Sequence, residues 1–272
     1  MITVEEAILG KPSAGSAAHL LDHVLVHRQP LPAEGHGLLA HETDFYNFYI
    51  RRAGHGLDHA ASQFGQDMWV AFLLDCWDLD SRAARAGYFV EFGAFDGLTN
   101  SNTLLFERQF GWRGILAEPL KSAVAQCARN RHVIIDPRCV WQASNEVLEF
   151  NIVPGAEQLA TLKSFEAGDF HAERRRESQQ SMQVRTVSLN DLLMEHRAPA
   201  IIDYMSVDTE GSELAILQAF DFDRWQINVM SVEHNWTPQR QAIRNLLAEH
   251  GLFHLERSVD YCDDLFVRRR AR

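Results

Sequence analysis

The sequence has few cysteines, no long apolar run and no basic N-terminal start. Its 272 residues include four cysteines, at positions 76, 127, 139 and 262, and none of them forms a C-x-x-C pair. This spacing is typical of free thiols in a reducing compartment, and it argues against a zinc site or a disulfide scaffold. The longest uninterrupted apolar run that we find, residues 68–74, is too short to span a membrane. Since a signal peptide would begin with basic residues, we expect a soluble, cytoplasmic protein with no membrane partner.

Positive charge is also scarce. The chain has 26 Lys and Arg against 37 Asp and Glu, which leaves a formal net charge of -11. A negative protein repels the phosphate backbone that supplies most of the affinity for nucleic acids, so no nucleic-acid partner is expected. With 46% hydrophobic residues, the chain is long enough and apolar enough to bury a full core.

Two regions of the chain differ in pattern. Residues 1–60 are rich in His, Gly, Ala and Pro, and we interpret them as an N-terminal helical extension. Residues 61–272 carry short apolar runs that end in Gly- or acid-containing turns and alternate with helical segments, which predicts an α/β domain. Strands are predicted at 88–92, 114–117, 132–135, 147–152, 201–207 and 228–232, and helices at 121–129, 212–220 and 238–250. The polar stretch 154–183 is interpreted as a possible helix-bearing lid.

Acidic residues follow the predicted strands at their carboxyl ends, which is where open parallel sheets bind ligands. In chain order, the strand-end residues are Glu91, Gly93, Asp96 and Gly97 after the first strand, Glu118 after the second, Asp208 and Glu210 after the fourth, and Glu233, His234 and Asn235 after the fifth. We expect these side chains to meet at one edge of the sheet.

The turn after the first strand favours a cationic cofactor over a pyrophosphate. Phe95 stands where the dinucleotide fingerprint requires its second glycine, and the carboxylates of Glu91 and Asp96 flank the turn. Glu118 lies 21 residues beyond Gly97, where an acid can accept both hydroxyls of a ribose. A ribose joined to a cation indicates S-adenosylmethionine. The alternative that Glu91 only caps neighbouring backbone stays open.

The motifs together resemble the FkbM family of class I methyltransferases. The resemblance rests on SQFGQD, FVEFGAFDG, SNT, GWRGILAEP, TVSLNDLL, DYMSVDTEGSE, SVEHN and DDLFV, which span about 205 residues from Ser62 to Val267. It implies a Rossmann-like fold with helices on both faces of a seven-stranded, mostly parallel sheet whose last strand is antiparallel. It also implies S-adenosylmethionine as cofactor and O-methylation of a sugar or natural-product hydroxyl.

The resemblance also implies roles for particular residues. Under it, Glu91, Gly93, Asp96 and Gly97 line the methionine end of the cofactor, Glu118 holds the ribose, Ser101 and Asn102 start a helix that faces the cofactor carboxylate, and Asp136 or Cys139 and Val140 border the adenine. Phe95 departs from the small polar residue that the family pattern leads us to expect, which puts one hydrogen bond to the cofactor in doubt.

Methyl transfer to an alcohol requires a group that removes the hydroxyl proton. His234 is the first candidate because its unperturbed pKa lies closest to neutral pH, and Asp208 or Glu210 are the others. A second interpretation makes Asp208, Glu233 and His234 ligands of a divalent Mg or Mn ion that activates the acceptor. His171 and Arg174 of the lid, together with Trp236, are candidate substrate residues.

The expected partner is a small-molecule or saccharide acceptor, and a homo-oligomer stays possible. Two alternatives remain at this point. One is an enzyme that methylates nitrogen or a non-sugar small molecule. The other is a catalytically silent subunit that binds S-adenosylmethionine; the retained strand-end groups argue against it.

Overall fold

The structure is a computed structural model that describes residues 45, 59–76, 84, 86–166, 171–178, 180–256 and 262–268. Most of the predicted N-terminal extension, residues 1–60, lies outside the described residues. Within it, Phe45 is helical and buried, and its ring stacks on Trp69 with a centroid distance of 3.7 Å. The boundary between the extension and the main domain therefore stays a prediction.

A seven-stranded sheet forms the centre of the described fold. Its strands are β1 (Tyr88–Phe92), β2 (Arg113–Ala117), β3 (Ile134–Asp136), β8 (Ile201–Val207), β9 (Gln226–Glu233), β10 (Leu252–His254) and β11 (Asp263–Arg268). They lie in the order β10, β11, β9, β8, β1, β2, β3. β11 pairs antiparallel with both of its neighbours, β10 and β9, and the other strand pairs of this sheet are parallel. The sheet is therefore mixed and mostly parallel, with an antiparallel last strand.

Helices cover both faces of this sheet, which is why its central strands are largely apolar and largely buried. The helices are α1 (Gln66–Leu73), α2 (Leu104–Phe110), α3 (Lys121–Asn130), α4 (Ala172–Ser178), α5 (Leu189–Glu195), α6 (Glu213–Gln218) and α7 (Gln239–Glu249). Neighbouring residues of β1 point to opposite faces: Val90 packs in one hydrophobic cluster with Leu192 and Ile243, and Phe89 packs in another with Trp69 and Leu105. The predicted strands and helices of this layer are present, with ends shifted by one or two residues.

A second sheet that the sequence did not predict lies beside the first. Its strands are β4 (Cys139–Trp141), β5 (Val147–Ile152), β6 (Thr161–Leu162) and β7 (Gln180–Ser188), in the order β4, β7, β5, β6. Of these strands, only β5 was expected. The segment 154–183, interpreted as a lid, carries β6 and the start of β7 in addition to α4, so part of it belongs to this sheet.

Two features bear on the environment of the chain. In the described ranges, no helix is both long and apolar enough to cross a membrane. All four cysteines fall in those ranges, and each is a buried free thiol. Burial raises the pKa of the Cys127 and Cys139 thiols to about 12, so both stay protonated near neutral pH.

Candidate active site

A cavity of about 410 Å³ lies at the carboxyl ends of β1, β2, β8 and β9. This volume is within the range of small-molecule sites. Twelve of the predicted site residues line it together: Glu91, Gly93, Ser101, Asn102, Glu118, Cys139, Val140, His171, Arg174, Asp208, Glu210 and Glu233. Five other predicted residues lie outside its lining: Asp96, Gly97, Asp136, His234 and Trp236.

Gly93 is where the turn after β1 comes closest to the end of β8. Its φ is +81°, and a Cβ atom at this position would lie 1.7 Å from the carbonyl oxygen of Asp208. Both the backbone angle and the lack of space therefore require glycine. The N–H of Asp208 in turn donates to the carbonyl oxygen of Phe92 at 3.3 Å. These contacts fix the glycine turn against the strand end that carries the downstream acids.

The buried carboxylate of Glu91 organises the loop that leads into α2. Ser101 Oγ donates to Glu91 Oε2 at 3.0 Å, the N–H of Asn102 donates to Oε1 at 2.8 Å, and Thr103 Oγ1 also donates to Oε2. Arg131 Nη1 lies 3.9 Å from the same Oε2 atom. Glu91 therefore caps the backbone and side chains of this loop, which was one of the two alternatives for it. It also forms part of the cavity wall.

Glu118 is held by two backbone groups at the bottom of the cavity. The N–H of Leu120 donates to Oε1 at 2.8 Å, and the N–H of Phe95 donates to Oε2 at 2.9 Å. Phe95 adopts a φ of +46°. The residue that departs from the family pattern therefore orients Glu118 through its backbone N–H. Burial raises the pKa of Glu118 to about 7, although the two N–H groups lower it in part. Each carboxylate oxygen keeps a second lone pair for a further donor.

Asp96 and Gly97 belong to the turn itself and not to the cavity wall. The Asp96 carboxylate accepts the N–H groups of Leu98 and Thr99 at 2.8 and 2.7 Å. The carbonyl oxygen of Gly97 accepts a hydrogen bond from Arg131 at 2.9 Å. These contacts stabilise the turn, and the role of the two residues at the methionine end stays a prediction.

Asp136 also has another role than the one predicted. Burial raises its pKa, but hydrogen bonds from Arg138 and His196, each 2.8 Å long, outweigh that effect and hold the pKa below its usual range. This ion pair lies outside the cavity lining. The alternative residues for that border, Cys139 and Val140, do line the cavity.

Three carboxyl groups meet where β8 and β9 end. Asp208, Glu210 and Glu233 each place one oxygen within 4.8 Å of the other two. The parallel pairing of Val207 with Val232 brings the ends of the two strands side by side. The strand-end acids of the sequence therefore converge as predicted.

The three carboxyl groups differ in their partners. Arg175 Nη2 donates to Glu210 Oε2 at 2.5 Å, and Asn235 Nδ2 donates to the same oxygen at 3.2 Å. Asp208 and Glu233 hydrogen bond with each other, while Glu233 Oε2 is buried and has no hydrogen-bond partner among the described residues. Burial raises the pKa of Asp208 and of Glu233 well above the usual range, and neighbouring carboxylates raise both further. Each carboxyl group of this pair therefore binds its proton more tightly than an isolated carboxyl group does.

A fourth carboxyl group, Asp263, joins this cluster from β11. It pairs in register with Glu233, lines the cavity and accepts a hydrogen bond from Gln66 Nε2 at 2.7 Å. Burial raises its pKa to about 6. The sequence analysis did not select Asp263 as a site residue, although the DDLFV motif was the available signal. Its place in the site follows from the antiparallel pairing of β11 with β9.

His234 lies outside the cavity lining, unlike the other candidate bases and metal ligands, Asp208, Glu210 and Glu233. Its Nδ1 atom accepts the N–H of Trp236 at 3.1 Å, and its Nε2 atom lies 3.6 Å from Asp264 Oδ1. Burial lowers its pKa to about 4, although Asp264 raises it, so the ring is neutral at pH 7. In a neutral ring whose Nδ1 accepts a hydrogen bond, Nε2 carries the proton, which leaves no lone pair for a base or a metal. The third residue that groups with Asp208 and Glu233 is Glu210 and not His234.

The predicted substrate residues separate into two groups. His171 and Arg174, just before and within α4, line the cavity. Trp236 is 61% exposed and lies outside the lining, with the Arg240 guanidinium 4.8 Å from its ring centroid. The prediction that Trp236 belongs to the acceptor site is therefore not supported by this geometry.

The cavity offers acceptors and negative charge to a ligand. Asn102 Oδ1 is buried and unpaired within the described part of the chain, whereas Asn102 Nδ2 donates to Ser206 Oγ at 2.9 Å. A buried acceptor without a partner is unfavourable unless a ligand supplies a donor. With Glu118 and Glu233 in the same wall, these groups fit S-adenosylmethionine, which carries a ribose diol, an ammonium group and a sulfonium.

Three solved structures illustrate what the fold is similar to. The N-terminal domain of human METTL16 aligns over 75% of this chain and 68% of that chain, at 12% identity and a TM-score of 0.40. A putative sarcosine dimethylglycine methyltransferase from Galdieria sulphuraria aligns over 78% and 76%, at 12% identity and a TM-score of 0.34. The DszA carbon methyltransferase aligns over 85% and 68%, at 9% identity and a TM-score of 0.35. Among curated proteins, none is significantly similar in sequence.

A family model identifies the chain. The model of the methyltransferase FkbM domain matches residues 91–253, well over half of the sequence. The matched segment contains Gly93, Glu118, Asp208, Glu210 and Glu233, and the family implies S-adenosylmethionine as the methyl donor. This chain is therefore a methyltransferase and belongs to the FkbM family.

Proposed function

We propose that this methyltransferase transfers a methyl group from S-adenosylmethionine to a hydroxyl of a sugar or a glycosylated natural product. The observation that carries the proposal is the Asp208–Glu233 carboxyl pair, which lines the cavity beside the glycine turn. A carboxylate whose pKa is raised toward neutrality is a suitable base for a hydroxyl proton.

The proposed cofactor site follows the first two strands. Glu118 holds the ribose hydroxyls, Asn102 and Gly93 border the methionine end, and Cys139 and Val140 border the adenine. When it is bound, S-adenosylmethionine supplies a methyl group on a positively charged sulfur. The acceptor atom attacks the methyl carbon in line with the carbon–sulfur bond, and the sulfur leaves. The negative charge of the Asp208–Glu233 pair favours a cation at this place.

The proposed acceptor site lies between the carboxyl pair and the α4 side of the cavity. The member of the Asp208–Glu233 pair that is ionised accepts the hydroxyl proton, and the protonated member donates a hydrogen bond that orients the acceptor. His171 and Arg174 border the acceptor from the α4 side. Such positioning and proton transfer are what the protein must add to the reactivity of the cofactor.

Transfer of labelled methyl groups tests this function. The protein is incubated with radiolabelled S-adenosylmethionine and a panel of glycosides, free sugars, hydroxylated metabolites and amines, and products are identified by mass spectrometry. We expect a methyl ether on an oxygen of a glycosylated acceptor. A methylated nitrogen would favour the alternative of an N-methyltransferase. Cofactor binding without transfer to any class would favour a catalytically silent subunit.

The affinity for S-adenosylmethionine is expected to fall below pH 7. Glu118 accepts ribose hydroxyls best as a carboxylate, and burial raises its pKa to about 7, so protonation competes with binding. The dissociation constant measured by calorimetry should rise about 10-fold between pH 8 and pH 6. Glu118→Gln should bind more weakly at pH 8 and lose most of this pH dependence. An unchanged affinity in that variant would remove Glu118 from the ribose site.

Turnover is expected to survive exhaustive chelation. Asp208, Glu210 and Glu233 are the carboxylates that would hold a divalent ion, but the Arg175 guanidinium is bonded to Glu210 and repels a dication. Methyl transfer is measured after dialysis against EDTA and again after addition of Mg²⁺ or Mn²⁺. Loss of transfer that either ion restores would contradict this expectation and assign a metal to the three carboxylates.

A further inference from the structure

Arg175 is buried, although it belongs to a charged run that is typical of a solvated helix face. The run is Glu-Arg-Arg-Arg-Glu at 173–177, and its other four residues are exposed. The Arg175 side chain has an exposure of 0%. It shares one face of α4 with the buried Ala172, three residues earlier. An arginine at this depth is stable only if its charge is paired.

The partners of Arg175 come from two separate parts of the site. Its Nη2 atom donates to Glu210 Oε2 at 2.5 Å, and its Nε atom donates to the carbonyl oxygen of Leu159 at 2.8 Å. Its own carbonyl oxygen accepts a hydrogen bond from Asn151 of β5 at 3.4 Å. Arg175 therefore connects α4, the second sheet and the acid that follows β8.

The turn that carries Glu210 is also held by other residues of this layer. Thr161 Oγ1 of β6 donates to the carbonyl oxygen of Glu210 at 2.9 Å. Gly211 has a φ of +120°, and a Cβ atom there would lie 3.1 Å from the Cβ atom of Phe165. Glu210 itself has a φ of +59°, a conformation that a residue with a side chain keeps only under such constraint.

We propose that Arg175 is a positioning residue for methyl transfer, which holds the Glu210 carboxylate and α4 in place beside the Asp208–Glu233 pair. This inference rests on the proposed function. Without the guanidinium, the Glu210 carboxylate would lose its ion pair within 4.8 Å of that pair, and its side chain would be able to reorient toward or away from the acceptor site. The helix α4, which carries Arg174, would also lose two of the hydrogen bonds that hold it at the cavity, those of the guanidinium with Glu210 and with the carbonyl oxygen of Leu159.

Substitutions of Arg175 test the inference against a matched neighbour. Arg175→Met removes the charge, Arg175→Lys keeps it, and Arg176→Met changes an exposed arginine of the same helix. We expect Arg175→Met to lower kcat about 100-fold and to leave the affinity for S-adenosylmethionine within about 3-fold of wild type. Arg175→Lys should recover about 10-fold of that loss, and Arg176→Met should behave as wild type.

A double variant separates positioning from stability. Arg175→Met combined with Glu210→Gln removes both charges, so the melting temperature should recover, because no buried charge is left unpaired. If Arg175 positions the site, kcat stays low in this variant. If kcat recovers together with the melting temperature, or if Arg175→Met alone retains wild-type kcat, the inference is overturned.

Hydrogen exchange tests the positioning without any acceptor. In Arg175→Met, or in the double variant should the single one not fold, amides of α4 and of residues 209–213 should exchange faster while those of β1 stay protected. Unchanged exchange in both segments would overturn the inference. Failure of the proposed function is a different result, because the wild-type protein itself would then bind no S-adenosylmethionine or transfer no methyl group to a hydroxyl.

Discussion

Gly93→Ala is expected to weaken the binding of S-adenosylmethionine at least about 100-fold, a loss of about 2.7 kcal/mol. The added Cβ atom would lie 1.7 Å from the Asp208 carbonyl oxygen and 2.9 Å from its carbon. Both of these are backbone atoms, so no side-chain rotation relieves the clash. The turn after β1 and the end of β8 must move apart, and this displaces the cofactor wall from the carboxyl pair. Isothermal calorimetry measures the affinity, and a thermal melt reports the accompanying loss of stability.

Gly155→Ala provides a matched control for this substitution. Gly155 has a φ of +76°, close to the +81° of Gly93, but a Cβ atom there would meet no other atom within 4 Å. Both variants therefore bear the cost of a left-handed alanine, about 1–2 kcal/mol, and only Gly93→Ala bears the clash. Equal effects of the two substitutions on the affinity would show that the close approach at Gly93 does not matter for binding.

Asp208→Asn and Glu233→Gln are each expected to lower kcat by about 10²- to 10⁴-fold. Each change removes a carboxylate from the pair that takes the acceptor proton, while the side-chain volume stays nearly constant. The affinity for S-adenosylmethionine should fall far less than kcat, since neither residue is proposed to hold the ribose and only the attraction of the pair for the cofactor cation is weakened. Steady-state kinetics with the acceptor from the transfer screen, together with calorimetry, separates the two effects.

Two further variants make this expectation specific. Glu149→Gln changes an acid on β5 whose side chain is 45% exposed, and it should leave kcat unchanged. His234→Ala should retain most of its turnover, because the ring lies behind the cavity and has no free lone pair. Wild-type kcat in Asp208→Asn and in Glu233→Gln would contradict the assignment of the base. A complete loss in His234→Ala at normal stability would restore histidine as its candidate.

The pH dependence of turnover has a defined sign. Burial and neighbouring carboxylates raise the pKa of both Asp208 and Glu233, so these groups take up protons at a higher pH than isolated carboxyl groups do. The ionised base therefore becomes less populated at acidic pH, and kcat/KM should fall there. A His234 base with its pKa of about 4 would instead keep kcat/KM constant down to that pH.

The main sheet was predictable from the sequence because its strands are buried on both faces. A short and largely apolar run such as 88–92, in which Glu91 is the one charged residue, has few other interpretations when turns bound it on both sides. The second sheet was not predictable in the same way. Six of the nine residues in β7 (Gln180–Ser188) are polar, and its burial becomes regular only near Val187. β7 pairs with β5 and β4, which are distant in the sequence, and the local pattern of apolar and polar residues does not predict such pairing.

The sequence predicted which strand ends form the site, but it did not predict the direction in which each side chain points. Glu233 and His234 are neighbours at the end of β9, and consecutive residues of an extended chain point to opposite sides. Glu233 therefore lines the cavity, whereas His234 faces Asp264 behind it. The burial of Arg175 between two exposed arginines depends in the same way on how α4 packs, which the charged run does not reveal.

The most direct measurement is a crystal structure of the protein with S-adenosylhomocysteine, the product that remains after methyl transfer. We predict that its ribose hydroxyls hydrogen bond with Glu118, that its methionine part lies along Gly93 and Asn102, and that its sulfur faces the Asp208–Glu233 pair. A ligand bound outside this cavity, for example at the amino ends of the parallel strands, would contradict the proposed site.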